Sequence, residues 1–191
     1  MRIEKVLSLT KRKLEFEPTG HDYSHALRVR KNALKLCQGM NVNQEIVEVA
    51  ALVHDLIDYK LEPDYKLTIN TLEEYLIQFG YGKREISLIL SIITNMSYSS
   101  KRNPDSIEGK IVQDADRLDA LGAIGIARTF AYSGRTGRLI YGSSNNDDSV
   151  SHFYDKLFKL TDLMNTEMAK KIALKRTIFM KEYLRQLDTE I

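Results

Sequence analysis

The stretch from 43 to 58, NQEIVEVAALVHDLID, decides how this chain folds. Its apolar residues Ile46, Val47, Val49, Ala50, Leu52, Val53, Leu56 and Ile57 fall on nearly every side of a helix. A helix apolar all round belongs inside a protein, so 43–58 is predicted as the central buried helix, with Asn43 as its N-cap. Yet the same helix ends in His54, Asp55 and Asp58. Consecutive helical residues point about 100° apart, so His54 and Asp55 can both face one site, and Asp58 lies four residues after His54 on the same side. Polar groups buried without partners are costly. A shared partner is expected there.

Outward from this helix the apolar spacing stays helical. Ala26, Leu27, Val29, Ala33, Leu34 and Leu36 stripe residues 23–38, and further helical patterns run over about 68–79, 83–96, 107–131, 149–163 and 165–187. No period-two alternation persists, so the fold class is all-α. Two segments interrupt the pattern: 97–107, SYSSKRNPDSI, and 133–148, SGRTGRLIYGSSNNDD. Loops this long inside a helical domain are commonly functional lids, and both carry cations.

A length of 191 residues fits one domain or one domain with a helical elaboration. With 43% hydrophobic and 28% charged residues the chain can bury a core, which excludes a disordered protein. A net charge of +2 gives no global field for a nucleic acid polymer. The single Cys37 excludes an internal disulfide and suits a reducing cytoplasm; its helical setting makes it a core residue. The N-terminal MRIEKVLSLTKRKLEFEP has no apolar run of signal-peptide or membrane-span length, so a cytoplasmic protein without membrane partners is expected.

The chemistry lies in the pattern H…HD…D: His25 in SHALRV, His54-Asp55 in AALVHDLIDY, and Asp116 in DADRLDALGA. Two neutral imidazoles and two carboxylates suit one divalent transition metal and leave room for water. Such coordination lowers the pKa of water from 15.7 to about 7, which outlines a hydrolase.

The segments HDYSHALRV (21–29), AALVHDLIDYK (50–60) and EGKIVQDADRLDALGAIGIARTFAYSG (108–134) resemble the HD-domain metal-dependent phosphohydrolases, most narrowly the stand-alone bacterial members of the YpgQ/YedJ type. The similarity spans nearly the whole chain. It implies an HD-domain helical bundle with additional C-terminal helices: one domain over 1–191, its core at about 20–131 and a C-terminal elaboration at about 149–191. It places the metal ligands at His25, His54, Asp55 and Asp116, taking the Asp of Ala-Asp-Arg-Leu rather than Asp114 or Asp119. Binuclear relatives recruit further histidines between the His-Asp pair and the last Asp; residues 56–151 hold none, so one metal ion is implied. Mn is the first candidate, with Fe, Co, Ni, Zn or Mg as alternatives.

Around this site, Asp55 and Asp58 are candidate catalytic groups. Arg28, one turn after His25, and Arg117, beside Asp116, are the first candidates to neutralise phosphoryl charge. Lys101, Arg102, Lys110, Arg135 and Arg138 come next. His21, four residues before His25, is expected at the site entrance, contacting substrate or a metal ligand. Asp22 caps the helix or orients an imidazole. Asp119 supports a ligand or pairs with Arg28 or Arg117. Asn95, where some relatives have His, is a candidate substrate contact. The aromatics Phe153, Tyr154, Phe158, Phe179 and Tyr183 read as core or subunit contacts, and a homodimer is allowed.

The expected activity is hydrolysis of a small phosphorylated metabolite, a nucleotide: the resemblance implies a nucleoside triphosphate cleaved to monophosphate and pyrophosphate. Phosphodiesterase or 5'-nucleotidase action on the same four ligands, and a non-catalytic metal- or nucleotide-binding module, stay open at this stage.

Overall fold

The computed structural model describes residues 1–18, 20–58, 61, 63–96, 104–142, 145 and 147–191. Among these residues the chain is all-α, without a strand: α1 (Arg2–Leu14), α2 (Tyr23–Leu36), α3 (Gln44–Val53), α4 (Ile69–Phe79), α5 (Lys83–Asn95), α6 (Ile107–Asp119), α7 (Gly122–Thr136), α8 (Ser149–His152) and α9 (Glu167–Asp188). The chain divides into two compact units, Met1–Asp116 and Arg117–Ile191. No helix among the described residues is long and apolar enough to cross a membrane.

In the first unit α3 packs against α1, α2 and α5. Every residue from Val49 to Val53 is buried, as are Ile46 and Val47. Each large aliphatic side chain buried this way contributes roughly 1.5–3 kcal/mol, so this helix anchors the unit. Asn43 caps it as expected, its side-chain oxygen accepting from the Ile46 N–H at 3.2 Å. Cys37 is buried. The N-terminal helix α1 was not among the predicted elements, although Val6, Leu9 and Leu14 line one face and are buried. Arg2 fastens its start to α3 and α5, reaching Glu45 at 2.7 Å and Glu85 at 3.0 Å.

Four predicted boundaries move. The helix expected over 43–58 stops at Val53, and His54 to Ile57 form turns. The helix expected over 107–131 is two helices, because Leu121 is extended and Gly122 adopts φ +79°, a conformation that L side chains rarely reach. The second of them continues to Thr136, so Arg135 sits on its last turn rather than in a loop. The described residues at the two ends of the loop bond to one another: the Ser149 and Val150 N–H groups donate to the Leu139 and Ile140 carbonyls at 2.9 and 3.1 Å, and Arg138 pairs with Asp147 at 2.9 Å. The helix expected over 149–163 changes winding, from α8 to a π turn at Phe153–Leu157 and a 3₁₀ turn at Phe158–Thr161. Phe153, Leu157, Leu160 and Met164 are all buried at helical spacing, so periodicity alone carries no sign of that change. Residues 97–103, including Lys101 and Arg102, lie outside the described residues.

In the second unit α7 packs on α9, and Phe130, Phe153, Phe158 and Tyr183 form a chain of ring contacts at 6.0–6.1 Å. Tyr154 and Phe179 instead expose about half of their surface.

Candidate metal centre

Helix α2 begins at an N-cap, Asp22, whose carboxylate accepts from the His25 N–H at 2.7 Å. Capping, rather than orienting an imidazole, is the contact this Asp makes. It fixes the first turn, and His25 on that turn is 1% exposed. His54 is the C-cap residue of α3, where the last carbonyls of the helix lack intrahelical partners. One of them, Ala51, accepts from His54 Nδ1 at 2.9 Å. A carbonyl only accepts, so that bond places a ring proton on Nδ1 and turns Nε2 toward Asp55 and Asp116. The turn that follows carries Asp55, buried to 5% exposure. On α6, Asp116 completes the group, its side chain 40% exposed and its backbone neighbour Ala115 accepting from Asn32 Nδ2 of α2 at 3.3 Å.

The four side chains expected as ligands converge within the first unit. His25 Nε2 lies 3.3 Å from His54 Nε2, and both lie 3.2 Å from Asp55 Oδ2. Asp116 Oδ1 is 3.5 Å from His25 Nε2 and 3.7 Å from His54 Nε2. Donors at 2.0–2.2 Å from one ion stand about 3.0–3.5 Å from their neighbours, so these separations suit a single cation. Two groups of candidate ligands result, His25–His54–Asp116 and His21–His25–Asp55, sharing His25.

Charge points the same way. Burial by itself would lower the His54 pKa, but the Asp55 and Asp116 carboxylates outweigh it and hold the imidazole well above its usual range. Burial would raise Asp55; the His54 charge and hydrogen bonds from His21, His25 and His54 instead hold it well below the usual carboxylate range. Asp116 is lowered against its burial by the hydrogen bond from His54 and the charges of both His54 and His25. Two buried carboxylates ask for positive charge, which either protons on the imidazoles or a divalent ion supplies. The donor set fits a divalent transition metal.

The HD domain profile matches residues 22–121. The Bacillus subtilis protein YpgQ is 43% identical over 179 residues, covering 92% of this chain and 86% of its own length. The chain belongs to the HD-domain family. The crystal structure of Bacillus subtilis YpgQ in complex with ADP superposes with a TM-score of 0.91 at 42% identity, covering 100% of this chain and 95% of that one. An HD-superfamily hydrolase from Bacillus thuringiensis gives a TM-score of 0.82 at 43% identity, covering 98% and 95%. HD domains bind divalent metals, and this one is an HD-superfamily hydrolase of the metal-dependent phosphohydrolase class.

The remaining candidates of this HD protein are placed as follows. His21 joins the cluster, its Nδ1 2.9 Å from Asp55 Oδ2. Arg28 is half-buried on α2, one turn beyond His25, and Asp58 closes the turn after Asp55, its N–H donating to the Asp55 carbonyl at 2.9 Å. Arg117 opens the second unit and donates to the Leu163 carbonyl. Asp119 pairs with Arg128 at 2.7 Å, a partner that the sequence reading did not consider. Asn95 folds back on its own helix, donating to the Ser91 carbonyl at 2.8 Å, and Arg135 is exposed on α7. Sequence reasoning also passed over Glu17 and Asn32. Asn32 follows His25 by seven residues, two turns along the same face, which was the available signal.

Proposed function

We propose that this HD hydrolase is a nucleotide pyrophosphohydrolase that splits a nucleoside triphosphate into monophosphate and pyrophosphate by way of a metal-activated water. The observation that carries this reading is the convergence of buried His25, His54 and Asp55 with the half-exposed Asp116, each carboxylate within 3.7 Å of both imidazoles. The nucleotide part rests on YpgQ, similar over the full chain and crystallised with ADP.

A divalent ion held by these four side chains, Mn being the first candidate, supplies a Lewis acid and lowers the pKa of water. The chain's own residues do the rest. The Ala51 carbonyl keeps His54 in the tautomer that presents Nε2. Asp55, at the centre of the cluster, sets the negative charge that selects a dication. Asp58, on the turn after Asp55, is the proposed proton acceptor. Arg28 and Arg117 are the groups proposed to neutralise charge on the phosphoryl oxygens, with Asn95, Arg135 and Lys101 as further proposed substrate contacts. Residues 1–191 form one HD domain with a C-terminal helical elaboration.

A panel of nucleoside triphosphates, diphosphates and monophosphates incubated with Mn²⁺-reconstituted protein tests the reading. Monophosphate and pyrophosphate in equal amounts are expected. Release of orthophosphate and nucleoside would make the protein a nucleotidase instead.

A further inference from the structure

His21 stands closer to Asp55 than either imidazole of the candidate ligand set. Its Nδ1 is 2.9 Å from Asp55 Oδ2, against 3.2 Å for His25 Nε2 and for His54 Nε2. Its backbone is fixed from both sides. The His21 N–H donates to Glu17 Oε2 at 3.0 Å, and Glu17 is itself 5% exposed. On the other side Asp22 caps α2 through the His25 N–H at 2.7 Å. Gly20, at φ +94°, supplies the left-handed step between Glu17 and His21 that most L residues resist. The ring then meets His25 edge to face, with centroids 5.6 Å apart and planes at 84°.

Resting on the reading of His25, His54, Asp55 and Asp116 as a metal centre, we infer that His21, seated by the buried Glu17, is a positioning residue that holds the Asp55 carboxylate toward the ion, not a substrate contact. When His25 and His54 direct their Nε2 lone pairs at a cation, those nitrogens can no longer donate to Asp55. The His21 Nδ1–H can, because Nδ1 already stands 2.9 Å from Asp55 Oδ2 and a carboxylate only accepts. A ligating carboxylate held by an outer hydrogen bond binds its ion more tightly, and loss of such a partner typically lowers metal affinity about 10–100-fold. Glu17 acts one step further out, through the backbone of the loop.

The test is calorimetric titration of metal-free protein with Mn²⁺, for wild type, His21→Ala, His21→Asn and Glu17→Ala. Asn places an amide N–H where Nδ1 stood, so it can restore the hydrogen bond without restoring an imidazole. Wild type and all variants are expected to bind one ion per chain. His21→Ala should lose about 10–100-fold in affinity, His21→Asn should recover most of that, and Glu17→Ala should fall between. At saturating Mn²⁺ the KM of His21→Ala for nucleotide should stay near wild type. Wild-type Mn²⁺ affinity in His21→Ala would overturn the inference. So would a drop of one ion in stoichiometry, which would make His21 a ligand, or a raised KM at saturating Mn²⁺, which would make it a substrate contact. Wild-type protein that binds no Mn²⁺ would sink the metal centre itself and this inference with it.

Discussion

Asp55 is the residue on which the cluster turns. One of its oxygens lies within 3.2 Å of three imidazole nitrogens, from His21, His25 and His54. On the proposed reading, removing it takes away a ligand and one of the two carboxylates that draw a cation. Asp55→Ala should therefore lower hydrolysis by more than about 10³-fold, roughly 4 kcal/mol of barrier, with metal content falling alongside. The role proposed for Arg28 is of a different kind, because a guanidinium is a cation and cannot ligate. Arg28→Ala should keep the metal but lose about 10²-fold in kcat, the usual size of losing one donor to a developing oxyanion. Steady-state kinetics paired with elemental analysis separate the two variants. Wild-type turnover in Arg28→Ala would move phosphate binding to other side chains.

At the scale of helices, the ends matter more than the middles. The His54-Asp55 pair sits past the last turn of α3, where an unpartnered helix carbonyl is available to hold the His54 ring. Likewise α6 ends soon after Asp116, and Gly122 turns the chain into α7 with a positive φ. A side chain at Gly122 would suffer that backbone strain and would also place its Cβ 3.1 Å from Arg176 Cγ. Gly122→Ala should cost about 1–3 kcal/mol, equivalent to a fall in Tm of about 2–4 °C for each of those kcal/mol. Thermal unfolding followed by circular dichroism measures it. An unchanged Tm would mean that the α6–α7 junction relaxes without strain.

For the whole molecule, metal and protons compete for the same side chains. Asp55 and Asp116 outweigh burial and hold the folded His54 pKa well above its ordinary 6.5. The stability from that imidazolium is fully present below the unfolded value of about 6.5 and drains away as pH rises through the raised folded value. A divalent ion needs His54 neutral, so binding displaces a proton and strengthens with rising pH over the same interval. Mn²⁺ at about a hundredfold above its Kd should raise Tm by about 5–10 °C, and chelation should reverse the gain. At one fixed Mn²⁺ concentration the increment should be larger near pH 8 than near pH 6, because the ion then displaces the His54 proton at less cost. Equal increments at both pH values would show that no imidazole proton is displaced.

Read by itself, the sequence determined that the chain is helical, that 43–58 supplies its buried centre, and that His54 and Asp55 need a partner there. These follow from local causes: the period of the apolar residues, the Asn43 cap, and the cost of burying His54 and Asp55 without partners. Only the tertiary structure decided where the helices stop, since a stripe such as Phe153–Leu157–Leu160–Met164 keeps helical spacing through a change of winding. It alone chose Asp55 as the partner of His21, set Glu17 under the His21 backbone and paired Asp119 with Arg128. A hydrogen bond across 34 residues of chain leaves no trace in local composition, because its partners are chosen by how α2 and α3 pack and not by their own neighbours in sequence.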